Sequence, residues 1–267
     1  MDTNKKTYDS HVQISKFLLK PYRYKTESGY MVDYWDLQDN LIKQAKYKKL
    51  NAEPMYFNPV IEMFLDKEIE SRFAEVVDKI RKCVKANSKV FNFQKSEIKI
   101  IRNFFKFTYL RNKELFSAVK ENSVLLSAVQ GFSHSYMLGT ASSSIDHFFK
   151  GKRLYILCNN SKQSFVSQHN VLYYVFYRNI NSFLTVLTIS PKLAICLSME
   201  ETNEKGVVVP IANEEIIKAF NRTAYLTEKN HTEPYLVGNG FELEELRKDC
   251  ATLDPRTRIE IAFDESP

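Results

Sequence analysis

The chain has 267 residues, 44% of them hydrophobic and 13% aromatic, with a formal net charge of +6; it is long enough for one large domain or two small ones and too apolar for a disordered chain. No stretch approaches the roughly 20 continuous apolar residues a membrane helix needs, and the polar opening MDTNKKTYDSH does not suit a secretory signal, so the expectation is a soluble, cytoplasmic protein with no transmembrane segment. The charge is uneven: residues 1–120 hold 24 Lys/Arg against 15 Asp/Glu, and residues 121–267 hold 14 against 17, a field that favours nucleic acid or an acidic protein as partner.

In chain order, HVQISKFLLKPYRY reads as a short helical run broken by Pro21. GYMVDYWDL and LIKQAKYKKL flank the turn residues Gln38-Asp39-Asn40 and read as a β-hairpin. Asn58-Pro59 then offers an N-cap and a proline at the first helical position. The segment that follows sets Ile61, Leu65, Ile69, Phe73, Val76, Val77, Ile80 and Val84 on one helix face. Glu68–Arg72, Glu75–Lys79 and Asp78–Lys82 are acid-before-base pairs at the favourable i, i+4 spacing.

A loop near Val90–Phe91 is expected to join this helix to a second, antiparallel one that starts near Lys95. At about 100° per residue, Lys95, Lys99, Arg102, Lys106 and Lys113 fall in one stripe, with Ile98, Ile101, Phe104, Phe105 and Phe107 behind it. Between Lys79 and Lys113, eleven Lys/Arg meet the single acid Glu97. The stripe is therefore the candidate nucleic-acid-binding surface, although lysine-rich faces also serve solubility alone. Arg111 falls instead among the apolar residues, where a guanidinium needs a partner; the hairpin brings Glu70 level with it, and a Glu70–Arg111 ion pair is expected.

A third helical stretch runs through ELFSAVKENSVLLSAVQGFSHSYML. After Gly151 the chain turns strand-like in RLYILCN, SFVS, VLYYVFY, SFLTVLTI and KLAICLSM. A helix NEEIIKAFNRTAYL capped by Asn213, a short helix FELEELRKDC and a last strand RTRIEIAF complete it. The order indicates one α+β domain with an N-terminal β-hairpin (1–57), a central helical hairpin or bundle (58–150) and a mostly antiparallel sheet with flanking helices (151–267).

None of the common mechanism-bearing motifs is present: no phosphate loop, no dinucleotide fingerprint, no HExxH, no nucleophile elbow. Cys83, Cys158, Cys196 and Cys250 are scattered and read as isolated buried thiols, and the five histidines are dispersed, so neither a metal nor a cofactor is expected. A metal-independent ribonuclease needs only a base, a second acid and cations on the phosphate. The candidates for that catalytic set are His11, Glu70, Arg111, Ser167 and His169. The stretch SFVSQHNVLYYVFY, Ser164 to Tyr177, is either a catalytic loop or a turn whose polar side chains satisfy backbone groups.

The order of landmarks resembles a bacterial family known as domain of unknown function 4238. The similar segments are HVQISKFL from His11, VDYWDL, EIESRFAEVV around Glu70, IIRNFFKFTYLRN with Arg111, TISPKLAICL and IANEEIIKAFNRTAYL. Where that family carries a Thr-Ser-Asp-Asn-Pro-Val segment this chain reads SFVSQHNV, with Gln168 at the Asp position and Asn170 at the Pro position, and Ile14 stands where Pro is usual. The family brings no agreed activity. The expectation from the residues is an RNA-acting protein of the toxin or phage-defence nuclease kind; the alternative is a non-enzymatic module that recognises an acidic protein.

Overall fold

A computed structural model describes residues 9–11, 14–50, 52–54, 59–86, 90–111, 152–201, 205–254 and 256–263. Its centre is a seven-stranded sheet in the order β14-β9-β10-β11-β7-β12-β6. The strands are β6 (Val90–Asn92), β7 (Lys152–Asn159), β9 (Leu172–Tyr177), β10 (Ser182–Ser190), β11 (Leu193–Glu201), β12 (Lys205–Ile211) and β14 (Glu260–Ile261). Two neighbour pairs are parallel, β12 with β7 and β14 with β9; the others are antiparallel. The α+β class and the mostly antiparallel C-terminal sheet are as the sequence indicates.

Both faces of this sheet are buried, which explains why its strands read as nearly unbroken apolar runs rather than as alternation. Leu154, Ile156 and Cys158 of β7 and Leu193, Ile195 and Leu197 of β11 join one core. Their neighbours Tyr155, Leu157, Ala194 and Cys196 join the other. Successive side chains of a strand point to opposite faces, so the two cores lie on opposite sides of one sheet.

The first core is closed by the N-terminal helices: α1 (Lys16–Leu19), α2 (Pro59–Phe64), which passes through a π-helical turn (Leu65–Glu70) into α3 (Ser71–Lys85), and α4 (Lys95–Leu110). Leu65, Ile69, Phe73, Val76, Val77 and Ile80 are buried, the apolar face read from the sequence. Phe73 and Phe104 stack with ring centroids 3.9 Å apart, and Phe17 meets both edge-on. The second core is closed by α5 (Glu214–Glu228) and α6 (Gly240–Cys250). Asn213 caps α5, its Oδ1 accepting from Glu215 N at 2.9 Å, and Asn239 caps α6 in the same way.

The hairpin of β3 (Gly29–Asp36) and β4 (Leu41–Lys46) forms as expected, and two other expectations are corrected. The other edge of β3 pairs with β2 (Tyr24–Thr26) over its first half and with β13 (Tyr235–Gly238) over its second, and β13 carries the two-residue strand β8 (Ser167–Gln168). Residues 90–92 are not a loop: β6 is the edge strand that adds Val90 to Asn92 to β12. Of the three i, i+4 pairs only Glu68–Arg72 forms, at 2.6 Å. Lys79 pairs across the hairpin with Glu97, and Asp78 pairs with Arg81 at 2.9 Å, because the nearly buried Glu97 carboxylate offers a stronger attraction than the exposed Glu75. The third helical stretch, Asn58, His134 and His147 lie outside the described residues.

β1 (Asp9–His11) pairs with β5 (Ala52–Pro54) as a separate two-stranded ribbon. Among the described residues no helix is long and apolar enough to cross a membrane.

The cysteines follow from the packing. Cys158, Cys196 and Cys250 are buried and Cys83 is half-buried, all as thiols. Burial, with the field of Cys83 added, pushes the Cys158 thiol up to about 12, and burial does the same at Cys250. Thiolates, not thiols, react with alkylating agents. Iodoacetamide at pH 8 is therefore expected to label Cys83 first, with the other three reacting only after denaturation, as read by peptide mass mapping. Labelling of Cys158 or Cys196 in the native protein as fast as Cys83 contradicts this packing.

Candidate functional site: a buried histidine turn and an arginine stacked on tyrosines

Ser167 and His169 lie in the interior, where the chain crosses from the seven-stranded sheet to β13 and back. Ser167 is 1% exposed, Gln168 1% and His169 2%. The His169 backbone N–H donates to Tyr235 O at 3.0 Å, and its ring stacks on Tyr235 with centroids 4.5 Å apart. Nδ1 lies 3.7 Å from Oε1 of the fully buried Glu228, an ion-pair distance beyond hydrogen-bond range. Asn170 N–H donates to the other Glu228 oxygen at 3.1 Å. Val171 then takes φ +41°, a left-handed conformation that a β-branched side chain rarely adopts.

The polar side chains of this crossing serve the backbone. Asn221 of α5 accepts from Val166 N–H at 3.0 Å and donates to Ser164 O at 2.8 Å. Gln168 Nε2 donates to Leu172 O at 3.1 Å. A carboxylate at 168 could not donate, so this bond depends on the Gln168 amide. Buried backbone groups left without partners cost free energy comparable to a lost hydrogen bond, and this segment meets that demand from α5 and from its own turn. A general base has to come within about 2.6–3.2 Å of the proton it removes; His169 is enclosed by Tyr235 and Glu228.

Glu70 and Arg111 meet as expected. Arg111 Nη1 lies 2.5 Å from Glu70 Oε1 and donates to Ser15 Oγ at 3.0 Å, with Arg111 4% exposed. The pair ties the segment before α1 to the hairpin of α3 and α4. Arg111 thus meets Ser15 and Glu70, whereas His169 meets Tyr235 and Glu228. His11 stands in β1 opposite Ala52. Of the five candidate catalytic residues, Glu70 and Arg111 are joined by an ion pair, and Arg111, Ser167 and His169 are buried.

The lysine stripe also changes. Lys95 and Lys99 are exposed, Arg102 is half-buried, Lys106 is 6% exposed, and Lys113 lies outside the described residues. The helical period gives the angle of each side chain but not what packs over it, and the C-terminal half of this face of α4 is covered. Glu97 sits on the opposite side, below the usual carboxylate range: burial pushes it up, but the Lys79 ammonium and the Gln94 backbone N–H, which donates to it at 2.9 Å, outweigh that. The stripe thus faces away from α3, with two exposed lysines.

A different cation stands out, the half-buried Arg23. Arg23 follows a 3-10 turn (Lys20–Tyr22), and its guanidinium lies 4.1 Å from the centroid of Tyr30 and 5.0 Å from that of Tyr47. Such stacking is attractive by about 0.5–1 kcal/mol at exposed sites and fixes the plane of the fork. Lys25 lies directly across from Tyr30 in the β2–β3 ladder and so shares its face. Lys20, Lys25 and Lys48 are exposed, and Tyr30 is 45% exposed. Sequence reasoning missed this set because its members come from three separate strands and turns. The available signal was YRYK followed by the hairpin tyrosines Tyr30 and Tyr47.

Among the described residues no three His, Cys, Asp or Glu side chains converge to hold a metal ion.

Two stability outcomes follow from the buried groups. Replacing Glu70 with alanine is expected to cost about 3 kcal/mol, since it strands a buried guanidinium, while Glu70→Leu combined with Arg111→Met costs less than either partner's removal. Asn221→Ala is expected to cost about 2 kcal/mol for two lost buried bonds. Urea midpoints measure all of these, and an Asn221→Ala midpoint equal to wild type contradicts the assigned role.

No family model, no curated protein and no solved structure matches this chain.

Proposed function

We propose that the protein binds single-stranded RNA through the basic and aromatic face around Arg23. The observation that carries this is the Arg23 guanidinium, which rests on Tyr30 and Tyr47 and has neither a carboxylate nor a hydrogen-bond partner among the described residues. Two rings hold its planar N–H fork, and that fork matches the oxygen spacing of a phosphate. The half-exposed Tyr30 ring offers a platform on which a base can stack, with Lys25 and Lys48 beside it for neighbouring phosphates.

Of the acids in these strands, Asp33 accepts from Tyr24 Oη at 2.5 Å and from Gly240 N at 2.9 Å, while Glu27 in the turn between β2 and β3 is exposed. The reading is of binding, with no cleavage step assigned, since His169 is enclosed in the core. Kinship with domain of unknown function 4238 is part of the proposal. It rests on the ordered segments around Glu70, Arg111 and Thr188–Leu197 and brings no activity with it.

The test is an anisotropy titration of a labelled single-stranded oligoribonucleotide at several salt concentrations. For wild type, log K should fall with log salt by about 0.7 per phosphate contact. Arg23→Gln with Lys25→Glu and Lys48→Glu should weaken binding about tenfold or more and flatten the slope. Lys95→Glu with Lys99→Glu, on the far side of α4, should stay within about twofold of wild type. Unchanged affinity in the folded Arg23 variant sinks the proposal. Retention of an acidic protein that survives ribonuclease treatment, with no RNA affinity, would put the protein-recognition alternative in its place.

A further inference from the structure

Arg23 also lines a cleft of about 480 Å³ between the Lys20–Tyr22 turn and α3. Three cations border it, Lys20, Arg23 and Arg81, against one acid, Asp78. Asp78 accepts from Arg81 Nη1 at 2.9 Å, which leaves the other guanidinium N–H groups of Arg81 to point elsewhere. The lining therefore carries two positive charges in excess. Ser190 adds a hydroxyl whose oxygen accepts from Lys192 N at 3.3 Å, so its own proton can be donated into the cleft. Phe17 and Val77 make the apolar part of the wall.

An internal phosphodiester carries one negative charge. A phosphomonoester carries about −1.5 to −2 at pH 7 and presents three acceptor oxygens. The excess charge of the cleft and its donors, a stacked fork, a second guanidinium, an ammonium and a hydroxyl, suit the second species better than the first. The volume lies within the roughly 300–1,000 Å³ typical of small-molecule sites, large enough for one nucleotide with its base or ribose against the half-buried Phe17.

We infer that the cleft bounded by Lys20, Arg23 and Arg81 binds a phosphomonoester, either the terminal phosphate of an RNA strand or that of a free mononucleotide. For the strand end the inference rests on the RNA reading above; for the free nucleotide it stands on the cleft alone.

The experiment compares one labelled oligoribonucleotide with a 5′-phosphate, a 3′-phosphate or hydroxyl ends, and titrates adenosine monophosphate and adenosine by calorimetry. Lys20→Gln/Arg81→Gln is the cleft variant, Arg81→Lys keeps the charge without the fork, and Lys25→Glu perturbs only the outer face. Circular dichroism checks that each is folded. A phosphorylated end is expected to bind about tenfold tighter than the hydroxyl form, an advantage lost in the cleft variant and kept in Lys25→Glu. Adenosine monophosphate binding that the cleft variant loses, with adenosine inert, supports the same site.

Equal binding of all three oligonucleotides, without nucleotide binding, overturns the cleft inference and leaves RNA binding in place. Nucleotide binding without any RNA binding assigns the cleft to a free nucleotide and removes the RNA reading. Absence of both overturns both.

Discussion

The crossing between the two large sheets depends on α5 supplying polar side chains to buried backbone. From Asn159 to Val171 the chain leaves β7, pairs with β13 for only two residues and returns to β9. That path buries amide and carbonyl groups that no long ladder can satisfy. Asn159 donates to Gln163 O and Pro191 O, Asn221 serves Val166 and Ser164, and Glu228 receives Asn170 N–H. Each is a side chain standing in for a missing strand. Because β8 holds β13 and β13 holds β3, the placement of the Arg23 face ultimately rests on these bonds.

This dependence gives the histidine turn its character. A strained Val171, a buried His169 and a buried Glu228 are features that in other settings accompany catalysis. Here the φ at Val171 follows from geometry. The turn must reverse the chain within three residues while Gln168 and Asn170 reach fixed partners, and neighbours at 169 and 172 are already tied to β13 and β9. The polar side chains of this turn meet backbone groups: Gln168 Nε2 donates to Leu172 O, and Glu228 accepts from Asn170 N–H.

What the sequence made legible was whatever depends on local period. The apolar face from Leu65 to Ile80, the Asn213 cap and the Glu70–Arg111 pair all follow from angles along one helix or between two adjacent ones. Pairings of long range were not legible. Nothing in YLVG announces that Tyr235 to Gly238 will lie against Asp33 to Asp36. Nor does VFN at 90–92, which looks like an inter-helix loop, show the open edge of β12 that it completes. Glycine carried one usable hint: a Cβ at 240 would come within 2.8 Å of Asp33 Oδ2, so the α6 amide reaches that carboxylate only from a residue without one.

The same distinction separates the two basic features. Charge density along the chain peaks between Lys79 and Lys113, and a linear count points there. Electrostatic potential, however, depends on which cations remain uncompensated and exposed in space. On α4 the count is reduced by burial of Lys106 and half-burial of Arg102. Around Arg23 the density along the chain is ordinary, yet β2, β3 and the turn after β4 gather Arg23, Lys25, Tyr30 and Tyr47 while the carboxylate of Asp33 is bonded to Tyr24 and Gly240. The proposed site rests on the second arrangement, because a guanidinium oriented by two rings gives up little conformational freedom when a phosphate arrives.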